Sequence, residues 1–186
     1  MGLILASASP RRQELLRNAG IAFTVQAANV AESATPGEIP RDCAERLAAE
    51  KARAVLDRRP KDIILGADTI VVVDGEILGK PRDEADAERM LRMLSGRKHE
   101  VITGVCVAGA DSQEVSSEST IVSMSELRED EIRHYVAGGE PMDKAGAYAI
   151  QGTASRWIYR IEGDYFNVVG LPVSLVYRML RERRII

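Results

Sequence analysis

Apolar and polar residues alternate along the chain in a way that switches repeatedly between the two-residue period of strands and the 3.6-residue period of helices. Leu3 to Ala6 is a short apolar run that predicts a buried strand, and Arg11 to Asn18 predicts a helix that Pro10 starts and Gly20 ends. Phe23 to Gln26 reads as a second strand. The stretch from Glu32 to Pro40 mixes Pro, Gly, Ser and Thr and reads as an irregular loop. Arg41 to Arg59 then carries apolar residues at Ala44, Leu47, Ala48, Ala52, Val55 and Leu56, which is helical spacing.

Strands follow at Ile63 to Leu65 and Thr69 to Val73, and Asp74-Gly75 turns the second of them into Glu76-Ile77-Leu78. Asp83 caps a helix from Glu84 to Leu94, closed by Ser95-Gly96. Glu100 to Ala108 and Glu114 to Met124 predict two further strands. A short helix over Glu129 to Val136 stops at Gly138-Gly139. Strands are expected at Tyr148 to Ile150 and Trp157 to Ile161, and Pro172 starts a last helix through Arg183. Helices and strands in this order, with a tight hairpin among them, imply an α/β protein with a mixed sheet.

Length adds that residues 1–186 form one domain, large enough for a substantial core. Lys and Arg total 25 against 28 Asp and Glu, a net charge of −3, so no basic surplus grips a nucleic-acid backbone. A polyanion bound here is a small one. Arg178, Arg181, Arg183 and Arg184 make a basic helix end, which reads as complementing the helix dipole. Cys43 and Cys106 form no CxxC pair and are expected as reduced thiols. The opening residues lack the basic region and length of a signal peptide, and no run approaches a membrane span, so a soluble cytoplasmic protein is expected.

Candidate chemistry begins where the first strand hands over to the first helix. Ser7-Ala8-Ser9-Pro10-Arg11-Arg12 combines free backbone N–H groups at a helix start with two hydroxyls and two guanidiniums, a set suited to phosphate. The same residues also fit a Ser cap, a Pro at the first helical position and two solvated arginines. Gly66-Ala67-Asp68-Thr69 puts a carboxylate inside an apolar stretch, where an isolated charge is costly to desolvate. An Asp that ends a strand and satisfies a turn would look alike. Lys80 follows the Asp-Gly hairpin, which is expected to fold it back toward Asp68. Glu32 and Lys51 taken singly read as solvated charges. His99 and His134 are the only histidines, too few for a multi-histidine zinc site, and no Gly-rich phosphate loop or dinucleotide fingerprint occurs.

Four segments occur together in order: Leu5-Ala6-Ser7-Ala8-Ser9-Pro10-Arg11-Arg12, Gly66-Ala67-Asp68-Thr69, Gly79-Lys80-Pro81, and Lys144-Ala145-Gly146-Ala147-Tyr148-Ala149-Ile150-Gln151-Gly152. With Asp164-Tyr165-Phe166-Asn167-Val168-Val169-Gly170-Leu171-Pro172 they resemble the Maf family over nearly the whole chain. The resemblance implies an elongated mixed sheet with two lobes around a cleft, similar to the inosine triphosphate pyrophosphatases, and a homodimer. It implies hydrolysis between the α and β phosphates of a nucleoside triphosphate with a divalent cation, magnesium or manganese. Asp68 falls at the proton acceptor and Lys80 beside it as a catalytic cation; Ser7, Arg11, Arg12 and Lys51 fall among phosphate-binding groups. Arg11, Thr69 and Gln151 match positions tied to substrate choice, and Gln151 resembles the branch acting on dTTP and UTP rather than on 7-methyl-GTP. Glu32 and Asp68 are the implied metal ligands, so Asp68 either accepts the water's proton directly or holds the ion that acidifies it. A nucleotide-binding regulator of septum formation is the other reading the family suggests. Two positions depart from the family pattern: Ala31 precedes Glu32 where an acidic pair is usual, leaving one carboxylate there to assist a metal, and Ala149 replaces a more usual glycine.

Overall fold

The computed structural model of the chain describes Gly2–Ile186. Seven strands form one mixed sheet: β1 (Leu3–Leu5), β2 (Thr24–Val25), β3 (Ile63–Val73), β4 (Glu76–Leu78), β5 (Lys98–Gly109), β6 (Ser112–Met124) and β7 (Ile158–Glu162). Their order is β2-β1-β3-β5-β6-β7, with β4 paired to β3. Pairing is parallel for β1 with β2 and β3, and antiparallel for β3 with β4 and for β6 with β7. Six helices accompany them: α1 (Pro10–Asn18), α2 (Pro40–Leu56), α3 (Glu84–Leu94), α4 (Glu129–Ala137), α5 (Tyr165–Val169) and α6 (Val173–Glu182). The mixed α/β class expected from the sequence is the one found.

Three expectations change. The two strands expected at Ile63 to Leu65 and Thr69 to Val73 are one continuous β3, so Gly66, Ala67 and Asp68 lie within a strand rather than in a break. The strand expected at Tyr148 to Ile150 is absent. Gly146 and Ala147 both take positive φ, 67° and 59°, which turns the chain out of extended geometry before Tyr148. The strand at Phe23 to Gln26 shortens to Thr24–Val25, and its side chains are exposed.

The chain divides into two compact units. The first takes the chain through Thr69, then Thr103–Glu118 and Gly170–Ile186. Its core includes Ile4, Ala6, Ala48, Ala52, Val55, Ile64, Cys106 and Ala108. Ala44, Ala48 and Ala52 on the buried stripe of α2 let this helix lie almost against backbone. A Cβ on Gly66 would stand 2.2 Å from the Ala48 carbonyl oxygen, and one on Gly104 2.2 Å from that of Ala44. Small residues on both sides make the approach possible. Gly66→Ala is therefore expected to push α2 outward and lower stability by about 3 kcal/mol, measured by denaturant unfolding. An unchanged midpoint would contradict the close packing. Cys43 and Cys106 are free and buried, and burial pushes the thiols up to about 11 and about 12. At the C-terminal end of α6, Arg183 donates to the Val107 and Ser112 carbonyls at 2.9 and 3.1 Å, so this arginine is spent within its own unit.

The second unit comprises Ile70–Ile102 and Ser119–Val169. Val71, Leu78, Leu91, Leu94, Met124, Ile132 and Trp157 belong to one buried core, to which α3 and α4 contribute and in which they meet. Asp83 caps α3, its side chain accepting the Asp86 N–H at 2.8 Å.

Candidate active site

In the first unit the chain leaves β1 at Leu5, and the Ala6 N–H bonds to the Leu65 carbonyl of β3 at 2.8 Å, which holds the following loop against the strand. Ser9 is the N-cap of α1, its hydroxyl accepting the Arg12 N–H at 3.5 Å, and Pro10 occupies the first helical turn. Ser7 Oγ accepts the Ser9 N–H at 3.2 Å.

Arg12 is buried, with 9% of its surface exposed. Its Nε donates to the Gly170 carbonyl at 2.8 Å and Nη1 to the Ala67 carbonyl at 2.8 Å and to Ser7 Oγ at 3.2 Å. Nη2 donates to Thr69 Oγ1 at 3.1 Å. Four of its five N–H groups thus meet protein acceptors. Thr69 Oγ1 also lies 2.9 Å from Thr103 Oγ1. One guanidinium joins the loop after β1, the middle of β3 and the segment before α6. Desolvation lowers its pKa, opposed by the charges of Asp68 and Glu32. Arg11, its neighbour, is only partly buried.

The second cluster forms where α2 meets β3. Lys51 lies on the buried stripe of α2 with Ala44, Ala48, Ala52 and Val55, and only 6% of it is exposed. Its Nζ contacts Asp68 Oδ1 at 2.5 Å and Glu32 Oε1 at 2.6 Å. Asp68 is equally buried, whereas Glu32 comes from the exposed loop before α2. Two carboxylates and one ammonium therefore share a point, the arrangement that lets charge persist out of water. The buried helical position of Lys51 is the signal in the sequence: an ammonium on an apolar stripe needs an anion facing it.

Of the nine residues singled out from sequence, Ser7, Arg12 and Thr69 are brought into one hydrogen-bonded group, and Glu32, Lys51 and Asp68 into one ionic group. Arg11 adjoins the first. Lys80 and Gln151 belong to the second unit, both exposed. Lys80 follows β4, and the preceding Gly79 carbonyl accepts the Gly146 N–H at 3.0 Å. Gln151 sits in a turn closed by the Gly152 N–H bonding to the Ala149 carbonyl at 3.0 Å. Sequence reasoning did not single out Thr103 or the Gly170 carbonyl, although Gly170 lies in a segment that carries the Maf resemblance.

A family model described as Maf-like protein matches residues 2–183. The chain belongs to the Maf family. Among its curated relatives, the dTTP/UTP pyrophosphatase of Koribacter versatilis is 60% identical over 181 residues, spanning 97% of this chain and 94% of that protein. The dTTP/UTP pyrophosphatase of Symbiobacterium thermophilum is 56% identical over 180 residues, spanning 97% and 93%. Solved structures with the same fold include the Ham1 protein of Staphylococcus aureus, with a TM-score of 0.54, 15% identity and coverage of 97% and 98%. A HAM1 protein from Coxiella burnetii gives a TM-score of 0.55 and 16% identity over the same shares. Maf membership and this fold both agree with the resemblance read from the four motifs.

Proposed function

We propose that this Maf-family chain hydrolyses nucleoside triphosphates, dTTP and UTP foremost, to the monophosphate and pyrophosphate. The observation that carries the reading is the buried pairing of Lys51 with Asp68 and Glu32 beside the loop that Arg12 fastens. Relatives named dTTP/UTP pyrophosphatase, matched over almost their full lengths, support the substrate class.

In this mechanism Lys51 orients Asp68 by holding Oδ1, and Oδ2 is the oxygen that takes the proton of the attacking water. Arg11 and the hydroxyls of the Ser7–Ser9 loop bind phosphate at the start of α1, where backbone N–H groups and the helix dipole favour anions. Arg12 acts behind them as a positioning residue, because most of its donors already face protein acceptors. Lys80 supplies a further cation for the phosphates. Gln151 offers an amide donor and acceptor to the edge of uracil or thymine. The assignments of Lys80 and Gln151 rest on the family motifs.

A divalent cation fits this donor set. Glu32 and Asp68 already converge on a single cationic group, Lys51 Nζ. Among the described residues no group of three or more His, Cys, Asp or Glu side chains is placed to hold an ion. Two carboxylates completed by substrate phosphates is the habit of magnesium. Glu32 and Asp68 would hold the ion, which would supply neutralisation of the phosphate charge.

Among the described residues no helix is long and apolar enough to cross a membrane. A cytoplasmic homodimer is the assembly that accompanies this reading, and sedimentation tests it. The activity itself is tested by pyrophosphate release from dTTP, UTP, CTP and 7-methyl-GTP with magnesium or manganese. The expected order places dTTP and UTP at least about tenfold above the others in kcat/KM, a gap of about 1.4 kcal/mol. Preference for 7-methyl-GTP would overturn the assignment of Gln151, and binding without turnover would overturn the enzyme.

A further inference from the structure

Gln151 sits on backbone that no strand supports. From Glu140 to Trp157 the chain runs through three short 3-10 turns, Glu140–Asp143, Ala145–Ala147 and Thr153–Trp157, with irregular backbone between them. Something other than a ladder of sheet hydrogen bonds must hold the turn that carries Gln151.

On its C-terminal side that role falls to one carboxylate. Glu140 accepts the Thr153 N–H with both oxygens, at 3.1 and 3.2 Å, two residues beyond Gln151. Its Oε1 also accepts the Tyr135 hydroxyl of α4 at 3.0 Å. The fit is close: a Cβ on Gly152 would lie 1.9 Å from Oε1, so glycine at this position leaves the space the carboxylate fills. On the N-terminal side, Tyr148 is buried, its hydroxyl 2.7 Å from Nε2 of buried His99. The turn is thus pinned three residues before Gln151 and two residues after it, both pins reaching back into the core of the second unit.

We infer that Glu140 is a positioning residue for base recognition, its Tyr135-braced carboxylate holding the Gly152–Thr153 peptide so that the turn presents Gln151 in one orientation. The inference rests on the reading of Gln151 as the group that meets the base. The Glu140 carboxylate meets the Thr153 N–H and the Tyr135 hydroxyl, and its short reach ties the turn to α4. Loss of the pin lets the turn sample other conformations, and the ordering cost then falls on substrate binding. That cost is paid only by bases Gln151 recognises.

The test is steady-state kinetics with dTTP and CTP on wild type, Glu140→Ala, Glu140→Gln, Tyr135→Phe and Gln151→Ala, with the unfolding midpoint of each. Glu140→Ala is expected to raise KM for dTTP about tenfold while kcat changes less than about threefold and CTP turnover stays near wild type, so selectivity falls. Glu140→Gln keeps an acceptor for the Thr153 N–H and is expected to restore most of the selectivity. If Glu140→Ala fails to fold, Tyr135→Phe, which removes one hydroxyl from the brace, is expected to move KM for dTTP about two- to threefold in the same direction. Equal losses for dTTP and CTP in the Glu140 and Tyr135 variants, with Gln151→Ala still selective in its effect, would overturn the positioning role while leaving Gln151 as the reader. Unchanged selectivity in Gln151→Ala would overturn the reading of Gln151 and the inference with it.

Discussion

Asp68→Asn is expected to cut kcat for pyrophosphate release from dTTP about 10³-fold, the range general-base removal produces. The substitution is chosen for its shape. Asparagine keeps an oxygen that can still accept from Lys51 Nζ, so the 2.5 Å contact in the wild-type protein has a replacement and the fold is spared. What disappears is the anionic oxygen that takes the proton. The unfolding midpoint is therefore expected to move little while turnover collapses. Glu32 also remains to pair with Lys51 at 2.6 Å, so the ammonium is not left alone in the interior. Turnover within about threefold of wild type would remove Asp68 from the proton-accepting role; a large drop in stability would instead make it a structural partner of Lys51.

Arg12 yields the largest expected change in stability. Arg12→Met keeps the aliphatic length and removes every donor, leaving the Ala67 and Gly170 carbonyls, Ser7 Oγ and Thr69 Oγ1 without the partner they have now. Stranding several buried acceptors at once is expected to cost about 3–5 kcal/mol, read from urea unfolding. Arg12→Lys separates two roles. A lysine ammonium keeps the charge but has neither the planar fork nor the reach to serve four acceptors around it. If Arg12 is mainly a brace, Lys is expected to lose a large part of the same stability. If its charge serves substrate alone, Lys would unfold like wild type and change only KM, which would restore Arg12 to the phosphate-binding set.

These two residues also mark where the sequence could be read and where it could not. The helical spacing of Ala44, Ala48, Ala52 and Val55 foretold α2 and its buried face, and Asp68 stood out as an acid in an apolar stretch. That Lys51 faces the same acid follows from its place on that stripe, a step that requires knowing which strand α2 covers. The destination of the Arg12 side chain was hidden for a different reason: the Gly170 carbonyl it meets is 158 residues away, and a backbone carbonyl has no identity in a sequence. Tyr148 to Ile150 looked like a strand because Tyr and Ile favour strands. Positive φ at both Gly146 and Ala147 decides otherwise, and an alanine gives no warning of that conformation. Glu140 gives no sign in the sequence because the group it holds in the turn is a main-chain N–H.

The makeup of the first unit has a consequence for synthesis on the ribosome. Three stretches compose it, and the last begins only at Gly170. The second unit ends at Val169, so every residue it needs has been polymerised before Arg12 has its final acceptor. Translation therefore delivers the parts in an order opposite to their numbering: the segment made first is the one whose folding unit is completed last. A nascent chain halted before Gly170 would hold a guanidinium one acceptor short, in a unit that still lacks its third stretch.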